Sequence, residues 1–453
     1  MSTLITAVAL VAAVGLGAAQ PRPLTLDEAI ELALSSAPSV GVHRVAEERA
    51  RLQTLRANLE RIHASVDATA SALYQSPPFL PVSGASPGYG AFLPLANLEA
   101  SVGAPLFSGF RVTADIARAE HLERAVTEDL AAERQAVALA VARAYWSERR
   151  LALLEGAQRA AAERLLESER LVQARITAGL AAGLDANRAA ARRVQLDVDG
   201  TTLAAQRREA RARLVVLLGI DDDVELGDTA APPASAPPDG DVDAAVQRAF
   251  DGRPELRATD WRALALTEEQ RAQQSAYWPQ LDAGLLAQLG NNPSIAGVGS
   301  RAIAGVNGNV QAGLFLRMNL FDTFVTTHAV EDLAHRQRMA GLERRALARG
   351  IESDVRVAHA RVTSLAEQRA ALVKARDLIA DNLATLERVY QNGDVLFTEV
   401  LDVQVELANA ERQIVGVDAE LVLAHLELQA ATGAWTPRAA SSSEIAGKAG
   451  KAS

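Results

Sequence analysis

Apolar and polar residues alternate in four segments of the chain, and this period of two predicts four β-strands. The strands form two pairs, with bounds Val66 to Tyr74, Leu98 to Leu106, Leu281 to Leu289 and Val310 to Leu320. Successive side chains of a strand point to opposite faces, so each strand has one apolar face and one mostly polar face. The segments between paired strands, Pro77 to Ala96 and Asn291 to Asn309, are rich in Gly, Pro and Asn and predict long loops.

Two other segments predict unusually long helices. Arg111 to Ala178 and Val325 to Asn392 each contain 68 residues and no proline, the residue that breaks helix interiors. A continuous helix of that length spans about 100 Å at 1.5 Å per residue. In the second half of the chain, apolar residues recur at spacings of three and four on both sides of Gly393. These two stripes predict an antiparallel coiled-coil hairpin that turns at Gly393.

The chain repeats itself at an offset of about 214 residues. Pro105 to Phe110 aligns with Asn319 to Phe324 at this offset, and Gly179 aligns with Gly393. Each copy is predicted to contain a helix, two strands separated by a loop, a very long helix, a turn and a returning helix. We therefore expect two copies of one structural unit rather than several unrelated domains.

The predicted organisation has five parts. Residues 1–19 have the features of a secretory signal peptide, because Leu4 to Ala19 lacks charge and small residues precede a cleavage after Ala19. A buried N-terminal helix is the alternative. The other parts are a first structural repeat, a proline-rich linker, a second repeat and a disordered C-terminal tail, at residues 20–220, 221–243, 244–433 and 434–453.

Composition excludes several kinds of site. The chain has no cysteine, which rules out disulfides, thiolate metal sites, a cysteine nucleophile and a cysteine-linked lipid anchor. Its formal net charge of -10 disfavours nucleic-acid binding. His328 and His335 share a helix face but are seven residues apart, too far to hold one metal ion without other ligands. There is no nucleophile elbow or phosphate-binding loop, so the sequence predicts no enzyme, no cofactor and no metal site.

Four amphipathic strands are too few to close a barrel. Open sheet edges are not tolerated in hydrocarbon, because their N–H and C=O groups lack partners, and the smallest bacterial outer-membrane barrels have eight strands. Three chains with four strands each would supply twelve. The alternative is a soluble sheet covered by the helices.

Several short motifs occur in a distinctive order. They are Leu24–Ala29 and Arg253–Leu256 near the starts of the two repeats, Pro279–Leu281 at a strand entry, and Tyr390–Gly393 followed by Glu399–Asp402. Together, over about residues 24–433, they resemble the TolC-like outer-membrane efflux proteins. The resemblance implies an α+β membrane protein with an internal two-fold repeat. Its trimer would form one 12-stranded outer-membrane β-barrel, with four strands per chain, continued by a long periplasmic α-helical barrel.

The resemblance also implies an acidic gate near the helical turns. Asp185 and Glu399 each stand six residues after the turn glycine of their repeat, and Asp402 lies on the same helix face as Glu399. In a trimer, Glu399 and Asp402 would place six carboxylates around a narrow axis and attract cations. The alternative is that Asp394 and Glu399 complement a helix dipole while Asp402 is solvated. Val395 stands where the family often has arginine, so a salt-bridge lock by that residue is not expected.

The turns themselves are the predicted contacts of a periplasmic adaptor protein. Glycine permits the sharp bend that each turn needs, and the turns would lie at the free end of the assembly. The alternative is a plain glycine turn between two helices. The predicted contact residues are Thr177, Gly179, Leu180, Asn392, Gly393 and Asp394.

Three functions compete. The first is the exit duct of a tripartite efflux system, which takes substrates from an inner-membrane transporter and its adaptor to the exterior. The second is a duct of the same fold for type I protein secretion. The third is a periplasmic coiled-coil adaptor or scaffold. An adaptor would pair one helical hairpin with lipoyl-like and small barrel domains, whereas this sequence predicts two hairpins and two strand pairs.

Overall fold

The computed structural model describes residues 24–75, 91–179, 183–220, 226–227, 241–290, 301–303, 306–392 and 394–435. These residues form helices and one small antiparallel sheet, so the predicted combination of long helices with a few strands is confirmed. The chain divides into two compact units. The helical unit comprises the residues up to Gly41, Glu133–Arg253 and the residues from Ile351, and the sheet unit comprises Val42–Ala132 and Pro254–Gly350.

Two helices, rather than the single one predicted, precede the strands in each half of the chain. They are α1 (Leu26–Ser36) and α2 (Pro38–Leu59) in the first half, and α5 (Val242–Gly252) and α6 (Pro254–Gln274) in the second. The residues between them, Ala37 and Arg253, are extended, with ψ of 119° and 122°. The following proline is the cause, because it disfavours the helical conformation in the residue before it and is itself well accepted at the first position of a helix.

In the described part of the chain the sheet has five strands, in the order β1-β2-β3-β5-β4, and every neighbouring pair is antiparallel. The strands are β1 (His63–Gln75), β2 (Ala91–Phe107), β3 (Gln280–Gly290), β4 (Arg301–Ile303) and β5 (Val306–Arg317). The four predicted strands are therefore present. The short β4 was not predicted, and it pairs only with the first residues of β5.

The predicted loops are too long. β2 begins at Ala91 and β5 at Val306, inside segments that their Gly, Pro and Asn content assigned to loops. Pro94 lies in β2 beyond Asn97, the last residue in the described pairing of β2 with β3 at that end. Proline is accepted where one side of a strand carries no ladder, so composition alone misplaced the start of this strand.

The alternating pattern gives the sheet two chemically different faces. One face exposes large apolar side chains from four strands: Val66, Leu98, Val102, Leu285, Leu289, Val310 and Leu314. The other face carries a polar row in which Asp67 lies opposite Glu99, Glu99 opposite Gln288, and Gln288 opposite Asn309. The Gln288 amide donates a hydrogen bond to Glu99 at 3.0 Å. An apolar face this extensive is unusual for a surface exposed to water.

Each long helix starts from a strained backbone reversal. Gly109 and Phe110 precede α3 (Arg111–Thr177) with φ of 61° and 70°, and Thr323 and Phe324 precede α7 (Val325–Asn392) with φ of 56° and 66°. Positive φ is rare for residues other than glycine. Side chains cap both starts: Ser108 accepts the N–H of Val112 at 3.3 Å, and Asp322 accepts that of Thr326 at 3.0 Å.

The long helices return as α4 (Gly183–Leu218) and α8 (Phe397–Ala431). As the position on α3 advances from Glu148 to Glu169, its ion-pair partner on α4 recedes from Arg207 to Arg193, so the two helices are antiparallel. The helix α8 forms ion pairs with α3 and α7 at once, because Glu427 binds both Arg143 and Arg361. None of the described helices has both the length and the apolar composition needed to cross a membrane.

The two hairpins of the helical unit are held together by different chemistry. Between α3 and α4, the Glu148 carboxylate is fully buried, 2.8 Å from Arg207 and 3.7 Å from Arg211. The residues 214 positions later than Glu148 and Arg207 are Val362 and Leu421, which are both fully buried in an apolar cluster of α7 and α8. An ionic contact in the first half thus stands where the second half has an apolar one.

We expect Glu148→Ala to lower the free energy of unfolding by about 2 kcal/mol, because Arg207 and Arg211 lose a shared buried carboxylate. Arg207 keeps a second carboxylate partner, Glu155, at 2.9 Å. Denaturant unfolding in detergent, followed by circular dichroism, measures the loss. The control is Glu209→Ala, since Glu209 is an exposed carboxylate on α4 that pairs with Arg213, and removing it lowers stability by less than about 0.5 kcal/mol. Equal losses in the two variants would contradict the assignment of Glu148 as the central contact of this hairpin.

Candidate functional site at the helical turns

The first turn joins α3 to α4. Thr177 ends α3, and Gly179 follows with φ of 73° and its N–H bonded to the Ile176 carbonyl at 2.9 Å. A Cβ atom on Gly179 would meet nothing within 4 Å. Thr177 and Gly179 are exposed, and Leu180 lies outside the described residues. Glycine is therefore needed here for its backbone conformation and not for lack of space.

The second turn joins α7 to α8. Asn392 ends α7, Leu396 is extended, and α8 begins at Phe397. The Asp394 N–H reaches back to the Val389 carbonyl at 3.3 Å. Asn392 and Asp394 are exposed, and Gly393 lies outside the described residues. The described residues predicted to contact the adaptor at this turn thus have solvent-facing side chains.

A shared apolar cluster lies beneath the two turns. It contains Val172 of α3, Ala189 of α4, Leu383 and Tyr390 of α7, and Phe397, Val400 and Leu401 of α8. The rings of Tyr390 and Phe397 are 5.5 Å apart, so the last turn of α7 packs on the first turn of α8. Because all four helices contribute, the two turns form one packed structure.

The predicted gate carboxylates lie on different surfaces of this structure. Glu399 and Asp402 are exposed on the face of α8 opposite the buried Val400 and Leu401. No hydrogen bond or ion pair to either carboxylate occurs within the described part of the chain. Asp185, in the first turn of α4, instead lies 3.8 Å from Arg188. The structure therefore brings Glu399 and Asp402 together without placing Asp185 in contact with them.

Glu406 extends the acidic face of α8, and the sequence analysis missed it. It is exposed and follows Glu399 by seven residues, which returns it to the same side of the helix. Asn409 and Gln413 continue this exposed face. The apolar stripe of α8 was recognised in the sequence, and its complement would have identified Glu406.

Tyr390 is the titratable group that this environment perturbs most clearly. Burial raises the pKa of its phenol, Arg175 opposes the increase, and Asp185 adds to it. Its hydroxyl is buried and has no hydrogen-bond partner among the described residues. Asp185, on α4, therefore acts electrostatically on the end of α7. No group of three or more His, Asp or Glu residues able to hold a metal ion occurs within the described ranges.

Comparison with known proteins identifies the second half of the chain. Residues 245–434 match the family described as outer membrane efflux protein. The second half of the chain is therefore similar to outer membrane efflux proteins. The resemblance found in the sequence is thereby confirmed, and with it the expected location in the outer membrane. The family consists of channels and not of enzymes, as predicted.

Solved structures of outer-membrane channels share the fold of this chain over most of its length. The OprN channel aligns with a TM-score of 0.73 at 20% identity, covering 91% of both chains. VceC from Vibrio cholerae aligns with a TM-score of 0.71 at 16% identity, covering 90% of this chain and 96% of that one. The open state of MtrE from Neisseria gonorrhoeae gives 0.68 at 18%, covering 90% and 88%. No match was found among curated protein sequences.

We expect Gly179→Asn to fold normally and Gly179→Val to be less stable. There is room for either side chain, but asparagine accepts positive φ whereas a β-branched residue there is a conformational outlier, at a cost of about 1–2 kcal/mol. Thermal unfolding of the purified protein measures the difference. If both variants melt like the wild type, the turn does not require a left-handed residue.

Proposed function

We propose that this protein is the outer-membrane exit duct of a tripartite efflux system and that it works as a homotrimer. The proposal is based on two properties of the β-sheet. Its apolar face is exposed, and both of its edges are open: β1 pairs only with β2, and β5 has no outer neighbour beyond the three residues paired with β4 in the described part of the chain. Such a sheet is stable in lipid only if other chains complete it.

Three copies complete it most simply. The four long strands of each chain then form a barrel of twelve, with the exposed apolar face toward lipid and the polar row toward the lumen. The short β4 would lie at one end of β5 and would not interfere with pairing along the rest of that strand.

The helices next to the open edges support the same assembly. The helix α2, which leads into β1, exposes Val45, Leu52 and Leu59 on one face, and α7, which follows β5, exposes Met339 and Leu342. Residues at these spacings form apolar seams that helices bury against other helices. Pairing of β5 with β1 of the next copy would bring these seams into the neighbourhood of one another.

The acidic face of α8 is the proposed gate. In a trimer, Glu399, Asp402 and Glu406 would supply nine carboxylates over about 10 Å of helix length. Carboxylates that lack positive partners concentrate cations in a narrow passage and repel one another when it closes. The absence of described partners for Glu399 and Asp402 supports this role over that of structural ion pairs.

The partners proposed are a periplasmic adaptor protein at the two turns and an inner-membrane transporter behind it. Exposure of Thr177, Gly179, Asn392 and Asp394 supports the turns as a contact surface. A type I secretion duct would use the same fold, and the family description as efflux proteins favours small-molecule export. The adaptor or scaffold alternative is disfavoured, because the fold matches outer-membrane channels over about 90% of the chain.

We expect Val310→Arg to impair membrane assembly and Gln311→Arg to be tolerated. The two residues are adjacent on β5 and both exposed, but they lie on opposite faces. An arginine facing lipid costs about 2–4 kcal/mol near the bilayer midplane, whereas one facing the lumen does not. Recovery of heat-resistant oligomers from outer membranes is the measurement. Equal recovery of the two variants would show that the apolar face does not contact lipid.

We expect the double variant Glu399→Gln, Asp402→Asn to reduce cation selectivity by a factor of about two or more, because the carboxylates no longer raise the local cation concentration. Reversal potentials in planar bilayers under a salt gradient measure the permeability ratio. The control removes two charges elsewhere, with Glu209→Gln and Asp251→Asn, both exposed. Selectivity that stays at the wild-type value in the α8 variant would exclude these residues from the gate, and absence of channels in the wild type would overturn the function itself.

A further inference from the structure

Arg175 joins the end of one long helix to the end of the other. It lies in the last turn of α3, and its Nη1 donates hydrogen bonds to the backbone carbonyls of Tyr390 at 2.8 Å and Gln391 at 3.0 Å. Its guanidinium carbon is 4.6 Å from the centre of the Tyr390 ring. One side chain therefore contacts both the backbone and an aromatic face at the end of α7.

These contacts match the needs of a helix end. The last four carbonyls of an α-helix have no partner within the helix, and the partial negative charge there favours a cation. Tyr390 and Gln391 belong to the last turn of α7, so Arg175 caps that helix from α3. The planar guanidinium also stacks on the ring of Tyr390, which a lysine does less well.

No carboxylate competes for Arg175 within salt-bridge distance among the described residues. Arg164, about three turns earlier on α3, differs in this respect because it binds Glu411 of α8. Arg175 can therefore leave the α7 carbonyls without separating an ion pair. Hydrogen bonds to neutral carbonyls therefore suit a contact between two helix ends, here called the joint, that has to break and form again.

The contact continues toward the acidic face of α8. The ring under Arg175 belongs to Tyr390, and its centre lies 5.5 Å from that of the Phe397 ring, at the first residue of α8. Glu399 lies two residues beyond Phe397. A series of contacts thus links Arg175, through the rings of Tyr390 and Phe397, to the first turn of the helix that carries the proposed gate.

The contact between Arg175 and the end of α7 has no counterpart at the 214-residue offset. At the 214-residue offset, the positions that correspond to Arg175 and Tyr390 hold Val389 and Ile176, which can form neither the hydrogen bonds nor the ring stack. Asp185 and Glu399 do correspond, so the two turns share an acidic residue but not the arginine.

We propose that Arg175 is a positioning residue for the gate: it holds the end of α7 against the end of α3 and thereby fixes the start of α8 with its carboxylates. The inference rests on the proposed function as an exit duct. Its consequence is that loss of Arg175 lets the second turn move away from the first and holds the passage more open, while the packing of the hairpins farther along remains.

The test combines a distance with a current. The chain has no cysteine, so Thr177→Cys and Asn392→Cys, at two exposed helix ends, give unique sites for spin labels, and double electron–electron resonance reports the distance between the turns. Single-channel conductance in planar bilayers reports the passage. Each readout is taken in the wild-type background and with Arg175→Gln, Arg175→Lys and Arg164→Gln.

We expect Arg175→Gln to broaden the distance distribution and to raise conductance about twofold or more, and Arg175→Lys to give an intermediate result. Arg164→Gln, which removes an arginine between α3 and α8 away from the turns, should match the wild type in both readouts. If Arg175→Gln does not assemble, Tyr390→Leu removes the ring instead and should broaden the distances in the same way.

The outcomes separate the two ideas. Distances and conductance of Arg175→Gln equal to those of Arg164→Gln would overturn the role of Arg175. Broadened distances in a protein that forms no channels, wild type included, would support the joint between the helix ends and overturn the exit duct. Broadened distances with unchanged conductance would show that the joint does not act on the passage, and the inference would be wrong.

Discussion

The unpaired backbone groups along the two edges of the sheet are the constraint on which the rest of the structure depends. A β-strand within lipid has to satisfy every N–H and C=O, and only a closed barrel does so for a sheet. Within its described residues, one chain supplies four long strands and leaves the outer edge of β1 and most of the outer edge of β5 unpaired. The helices with exposed apolar seams adjoin these two strands in the sequence: α2 leads into β1, and α7 follows β5. In the proposed trimer, closure of the sheet and burial of these helices would therefore be one requirement.

Most of the fold was predictable because its signals are local. Alternation over about ten residues identifies a strand, and 68 residues without proline leave few alternatives to a long helix. The failures were at boundaries. To predict the helix breaks before Pro38 and Pro254, the effect of proline on the preceding residue had to be considered. To predict the early start of β2, it was necessary to know which side of the strand is unpaired at Pro94. The latter depends on the pairing of β2 with β3, about 190 residues apart, which no local pattern contains.

The contrast between the two hairpins shows what similar positions can do with different chemistry. Glu148 with Arg207 gives the α3–α4 contact a strict requirement for opposite charges, whereas Val362 with Leu421 requires only apolar surface. If α3 instead paired with α8, the Glu148 carboxylate would be buried against Leu421, and if α7 paired with α4, Arg207 would be buried against Val362. A buried charge without a partner is strongly unfavourable. Replacing one apolar contact by an ionic one therefore discourages mispairing between two hairpins of similar length.

The site was predictable in part, for a physical reason that Arg175 makes clear. Carboxylates on the exposed side of an amphipathic helix are visible in the sequence, as Glu399 and Asp402 were and as Glu406 should have been. Arg175 binds backbone carbonyls, which every residue has, so its partner leaves no trace in residue types. The stacking of Arg175 on Tyr390 does depend on residue type. Tyr390 is 215 positions away, however, and the sequence alone does not show which arginine contacts which tyrosine. Contacts between a side chain and a distant backbone thus require the structure, and at a gate such contacts can be broken without leaving a buried charge unpaired.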